Sequence, residues 1–232
     1  MSIKRTLNII VFLLFPVFIF SQNDTLNQKL QSGYHHHIKD SLGRIYRYIK
    51  VSVPEYKLPA FTALSHYPEL DSTIIEIKIK KLKRLGNARP KMDFLFKKQI
   101  NRHYIIIVNK NAEDVLGLPF GEIPFKAQTG FFGHEFAHIA DYTEMNNLKL
   151  IFFGVKYLFM QKNIERQTDK STIKHNLGYQ LYELTNFITK NPDTNQDYLK
   201  FKKNNYLNCE EILYEISKLN GGLPVNINEH RQ

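Results

Sequence analysis

HEFAH at positions 134 to 138 sets His134 and His138 one helical turn apart, with Glu135 beside them. Residues four apart lie on one face of a helix, about 6 Å from each other, so two imidazoles at this spacing can share one tetrahedral zinc without backbone strain. Glu135 then flanks the metal, free to hold a water. The surrounding Phe131, Phe132, Phe136, Ala137, Ile139 and Ala140 predict a buried helix, and no Pro or Gly interrupts from His134 to Tyr142. One histidine on an apolar face reads as a core residue; two of them with a glutamate read as a metal site.

A catalytic zinc takes three protein ligands and keeps one position open for water. Downstream of His138, Glu165 and Asp169 stand four apart in a helical pattern running from Asn163 to Thr189, with Ile173, Leu177, Leu181, Leu184 and Ile188 on its apolar face and Asn191-Pro192 as its stop. Glu165 can ligate the metal there. Asp169, one turn on, can accept the other ring N–H of a ligating histidine, which fixes its tautomer. His175 lies too far along a straight helix to join them. Tyr142 and Tyr206 are candidates for a further donor.

Strands are predicted within 44–53, from Ser72 to Leu82 and from His103 to Val108, where β-branched and aromatic residues concentrate. A turn and a short helix are expected in NARPKMDFLFKKQIN between the last two. A further short strand is expected in IPFKAQTG, 123–130, directly before the motif helix. The apolar run LKLIFFGVKYLFM at 148–160, set off by Asn146 and Asn147, has 13 residues and is too short to span a bilayer of about 30 Å. It predicts a buried core helix. Asn208 followed by Glu211 predicts a capped amphipathic helix ending at Gly221 and Gly222. Few strands and several helices, segregated in sequence, give an α+β domain with a small mixed or antiparallel sheet followed by a helical core.

These residues resemble the gluzincin metallopeptidases: HEFAH, a helical hairpin, then ERQTD at 165–169. The nearest likeness is to the small soluble minigluzincins and their membrane-bound relatives, over residues 123–188. The resemblance implies a zincin-like core with zinc as cofactor, held by His134, His138 and Glu165. It implies Glu135 as general base and Asp169 as partner of a ligating histidine, most naturally His134. By the same likeness Ile123, Pro124, Phe125, Lys126 and Ala127 form an edge strand that binds an extended peptide or protein substrate by strand addition. Other HExxH hydrolases that use a cysteine ligand, such as the peptide deformylases, carry it before the motif, whereas Cys209 follows it.

Composition bounds the rest. Lys4 and Arg5, the apolar run from Ile9 to Phe20 and the polar SQNDT read as a secretory signal peptide over residues 1–21, cleaved after Ser21. An uncleaved signal anchor is the alternative, and either way the domain, residues 22–232, is exported to the periplasm or beyond. What remains suits a single domain. With one cysteine no intrachain disulfide can form. The formal charge of +10 falls to +8 without Lys4 and Arg5, and KIKKLKR at 78–84 reads as a strand with a solvated basic face. Exported proteins rarely meet nucleic acid, so no nucleic-acid partner is expected, and a peripheral membrane or other anionic surface is the alternative use of that charge. His35, His36 and His37 point in different directions in any regular structure and make a poor metal site. A zinc-stabilised or latent peptide-binding scaffold is the competing function.

Overall fold

Runs of β-branched residues build the sheet. In the computed structural model, which describes residues 48–221, β1 (Ile49–Val51), β2 (Ile74–Lys80), β3 (Gly86–Pro90) and β4 (His103–Asn109) form one sheet of order β1-β2-β4-β3. The first three in that order are parallel, with Ile77 opposite Ile106, and β3 closes one edge antiparallel to β4. Ile75, Ile77, Ile106 and Val108 are buried. The signal peptide and the three histidines at 35–37 lie outside the described residues.

Helices supply the other layer. α1 (Lys57–Leu64) links β1 to β2, a single turn α2 (Glu113–Leu116) follows β4, and α3 (Phe125–Thr143) carries the HEFAH motif. α3 is buried almost throughout and packs on α1 and β3. α4 (Asn147–Thr172) starts at Asn146, whose side chain accepts the Lys149 N–H at 2.9 Å. A π-helical turn (Ile173–Leu177) leads to α5 (Gly178–Lys190), and α6 (Gln196–Asn205) and α7 (Cys209–Leu219) complete the fold. The expected Asn208/Glu211 cap is a full capping box, and Gly221 follows α7 with φ +70°. The molecule is thus α+β: a small mixed sheet and a mostly helical core.

Four sequence expectations are corrected. The segment 123–130 is not a strand: Ile123 ends a turn, and Phe125, Lys126 and Ala127 form the first turn of α3, whose N-cap is Pro124. Gln128 reinforces that start by donating to the carbonyls of Gly121 (3.1 Å) and Ile123 (2.7 Å). An edge strand forms instead at β3, which overlaps the stretch expected to be turn and short helix; Pro90 is tolerated because an edge position needs no inward N–H. Only two 3-10 turns (Met92–Phe96 and Gln99–Asn101) follow it. The pattern from Asn163 to Thr189 is not one helix, because Asn176 takes a left-handed conformation at φ 59°. Finally, 148–160 is helical but not a buried core helix: Leu150 alone is fully buried, while Leu148, Phe152, Leu158 and Phe159 are 62%, 64%, 76% and 81% exposed. No helix among the described residues is long and apolar enough to cross a membrane.

One close approach fixes how α3 meets α5. A Cβ on Gly130 would lie 2.1 Å from the Gln180 carbonyl oxygen, a backbone atom that cannot step aside. Gly154, on α4, has nothing within 4 Å of the same position. Gly130→Ala should therefore lower stability by about 2–3 kcal/mol, read as a lower urea midpoint, while Gly154→Ala should raise it by about 0.5–1 kcal/mol through helix propensity. Equal effects of the two would contradict this packing.

Candidate metal centre

α3 and the second half of α4 lie side by side, so that residues a turn apart on each helix meet. His134 and His138 project from α3, Glu165 and Asp169 from α4, and all four are at most 7% exposed. Glu165 Oε2 lies 3.1 Å from His134 Nε2 and 3.3 Å from His138 Nε2. A tetrahedral ion with bonds of about 2.0–2.1 Å places its ligand atoms about 3.3 Å apart, so both distances match a ligand–ligand edge. Among the described residues, His134, His138 and Glu165 are the one group of three or more His, Cys, Asp or Glu side chains close enough to hold a metal ion.

Neighbouring side chains decide which atoms are offered. His134 Nδ1 donates to Asp169 Oδ1 at 2.9 Å, and the other oxygen, Oδ2, accepts the Leu207 N–H at 2.9 Å. Thr168 gives its hydroxyl proton to the Ile164 carbonyl (3.0 Å), so its oxygen is left to accept from His138 Nδ1 at 3.3 Å. Both imidazoles therefore present Nε2 inward. Glu165 is held through its second oxygen, Oε1, which accepts the Tyr157 hydroxyl; Tyr157 itself accepts from Gln161 Nε2 at 2.8 Å. One carboxylate oxygen is thereby kept for the ion and the other for the protein.

Burial opposes charge on His134, yet its hydrogen bonds to Asp169 and Glu165 prevail and push its pKa up to about 10. Burial raises Glu165 as well, but the two histidines outweigh it and hold the carboxyl well below the usual range. Glu135 differs. Burial pushes it up, only partly offset by the histidine charges, and its Oε2 is buried with no hydrogen-bond partner. This orphaned carboxylate oxygen lines the same cavity as the three convergent side chains.

The site forms the floor of a cavity of about 660 Å³. β3 from Gly86 to Pro90 makes one wall, Leu150, Ile151, Phe153 and Tyr157 of α4 another, and Met92, Phe94 and Leu95 the rim. Tyr142 and Tyr206, both considered as donors, reach it: Tyr142 Oη is 3.5 Å from the Ala88 carbonyl, and the Tyr206 ring lies 5.4 Å from that of His134. The Lys202 ammonium sits 3.4 Å over the Tyr206 ring; burial lowers its pKa, opposed by Asp169, Glu165 and Glu135. His175 lies elsewhere, stacked on Tyr67 at 4.1 Å and 2.9 Å from Glu69. Cys209 is also outside the site.

Thr168, Tyr157 and Lys202 were not found from the sequence. Thr168 was within reach, since it shares the helix face of Glu165 and Asp169. Tyr157 lies across the bend at Met160 (φ −125°, ψ 27°), and Lys202 arrives only through the tertiary fold. No protein-family model, curated protein or solved structure matches the chain.

Asp169→Asn and Tyr157→Phe should each weaken metal affinity about 10–100-fold without removing a ligand, measured by competition with a chromogenic chelator. Unchanged affinity in both would mean these contacts do not tune the site. In the metal-free protein, His134 binds its proton more tightly folded than unfolded, so its contribution is complete below about pH 6.5 and is lost as pH rises toward about 10. Denaturation at a series of pH values should show that decline, and His134→Gln should abolish it.

Proposed function

We propose that the protein is an exported zinc-dependent peptidase of gluzincin type, acting on extended peptide segments. The observation that carries this reading is the convergence of two Nε2 atoms and one Glu165 oxygen beside the unpartnered carboxylate of Glu135, on the floor of an open cavity. Two imidazoles and a carboxylate form a donor set suited to zinc, and the 3.1 and 3.3 Å spacings suit its bond lengths. Bound there, zinc would supply Lewis acidity toward a carbonyl and lower the pKa of water to about 7.

The remaining steps belong to this chain's residues. His134, His138 and Glu165 hold the ion, with Asp169 and Thr168 fixing the two ring tautomers. Glu135 takes the proton of the attacking water and returns it to the leaving amine. β3, antiparallel at the edge of the sheet and lining the same cavity, takes the role of the peptide-binding edge in place of residues 123–127. Tyr206 is the better placed of the two tyrosines to donate to a developing oxyanion, because the hydroxyl of Tyr142 faces the Ala88 carbonyl. A scaffold that only bound zinc would have no use for the buried, unpaired Glu135.

The test compares wild type with Glu135→Gln for zinc content and for cleavage of a quenched-peptide library. One zinc in each, with turnover at least about 100-fold lower in the variant and lost from wild type on chelation, is the expected result. Zinc-loaded wild type that cleaves no peptide would favour the scaffold, and an equally active variant would remove Glu135 from the mechanism.

A further inference from the structure

The first half of α4 has two apolar faces, and only one is used. Leu150, Phe153 and Tyr157 turn toward the cavity, whereas Leu148, Ile151, Phe152, Val155, Leu158 and Phe159 recur at helical spacing on the side turned to solvent, 43–81% exposed. Met92, Leu95, Phe96 and Ile100 extend the patch on the neighbouring turns, at 71%, 44%, 92% and 88% exposed. The two segments are tied together by the Asn147 side-chain amide, which donates to the carbonyls of Leu95 and Lys97, both at 3.3 Å. So much exposed apolar surface in one place marks an interaction face.

Charge indicates what it meets. From Met145 to Ile164 the chain has Lys149, Lys156 and Lys162, all exposed, and no acidic residue. The adjoining turns from Met92 to Ile100 carry Lys97 and the exposed Lys98 against one acid, Asp93, which Lys97 pairs at 2.8 Å. A second copy seated face to face would bring these like charges together. The chain's own apolar run, Ile9 to Phe20, is preceded by Lys4 and Arg5 and has no acid before Asp24, so it offers no complement either. A helix with an apolar face flanked by lysines is instead matched to a bilayer carrying anionic headgroups.

We propose that the outer face of α4 and the adjoining Met92–Ile100 turns seat the protein on an anionic lipid surface, with the cavity mouth at that surface. Met92, Leu95 and Ile151 belong both to the patch and to the cavity lining, so the opening lies at the edge of the seated face. This inference does not depend on the peptidase reading.

The chain has no tryptophan, so Phe159→Trp in the full-length protein gives a single reporter at a site where side-chain volume is unconstrained. Tyr214→Trp, 61% exposed on α7, serves as control. With phosphatidylcholine vesicles containing phosphatidylglycerol, emission at position 159 should shift to the blue and be quenched by brominated acyl chains, while position 214 stays unchanged. Adding Lys149→Gln, Lys156→Gln and Lys162→Gln to the reporter should weaken binding on the order of 100-fold, from about 5-fold per lysine, and high salt should weaken it likewise. Phe152→Asp should reduce binding with an unchanged melting temperature, since that side chain supports no core.

Several outcomes would overturn the proposal. They are no response to vesicles at position 159, an equal response to vesicles of phosphatidylcholine alone, and emission already blue-shifted without lipid. In the last case, dependence on protein concentration would assign the face to a second copy, and independence would assign it to the chain's own residues.

Discussion

Burying His134, Glu165 and Asp169 together is the constraint on which the rest of the structure depends. Each is almost wholly removed from water, at 6%, 2% and 1% exposure, and none could be buried alone. Their mutual hydrogen bonds join α3 to α4, and through the Leu207 N–H they also fix the connection from α6 to α7. Removing one partner would leave an uncompensated buried charge, a change that costs about 3–5 kcal/mol. The arrangement is therefore demanding of the scaffold around it. α3 meets that demand by running through the middle of the helical layer, where Gly130 lets α5 come close and the Tyr67 hydroxyl donates to the Gly133 carbonyl at 2.7 Å.

α4 works in two environments. Beyond the bend at Met160 it is a buried ligand-bearing helix; before it, an arm with one face in the cavity and one in solvent. Tyr157 joins the halves, lining the cavity while its hydroxyl rests on Glu165. Whatever fills the cavity therefore touches a residue that positions a ligand. The same arm displays the exposed apolar face, so surface, cavity and the candidate metal site are consecutive along one helix.

The centre of the molecule was the most legible part of the sequence. HEFAH and the Glu165/Asp169 pair have helical spacing that leaves little freedom in where their side chains point, and the isoleucine-rich β2 and β4 announce themselves by composition. β3 did not, because Gly-Asn-Ala-Arg-Pro has neither alternation nor β-branched residues and becomes a strand only by pairing with β4. Ile123 to Ala127 misled for the opposite reason: a short apolar run beside a proline suits a strand as well as a helix start, and only the Gln128 bonds and the packing of α3 choose between them. The run 148–160 is apolar on both its cavity side and its solvent side, so its pattern does not distinguish the face the protein covers. Thr168 could have been found by projecting the Glu165 face; Lys202 could not, because its place beside the site follows from how α6 returns across the fold.

The most direct test of a metal centre built from His134, His138 and Glu165 is X-ray absorption at the zinc edge of the stoichiometrically loaded protein. The expected result is a four-coordinate shell of nitrogen and oxygen at about 2.0–2.1 Å, with the outer-shell scattering of two imidazoles and no sulfur. A sulfur scatterer at about 2.3 Å would bring Cys209 into the site and contradict the assignment. A folded protein that retains no metal would contradict it outright.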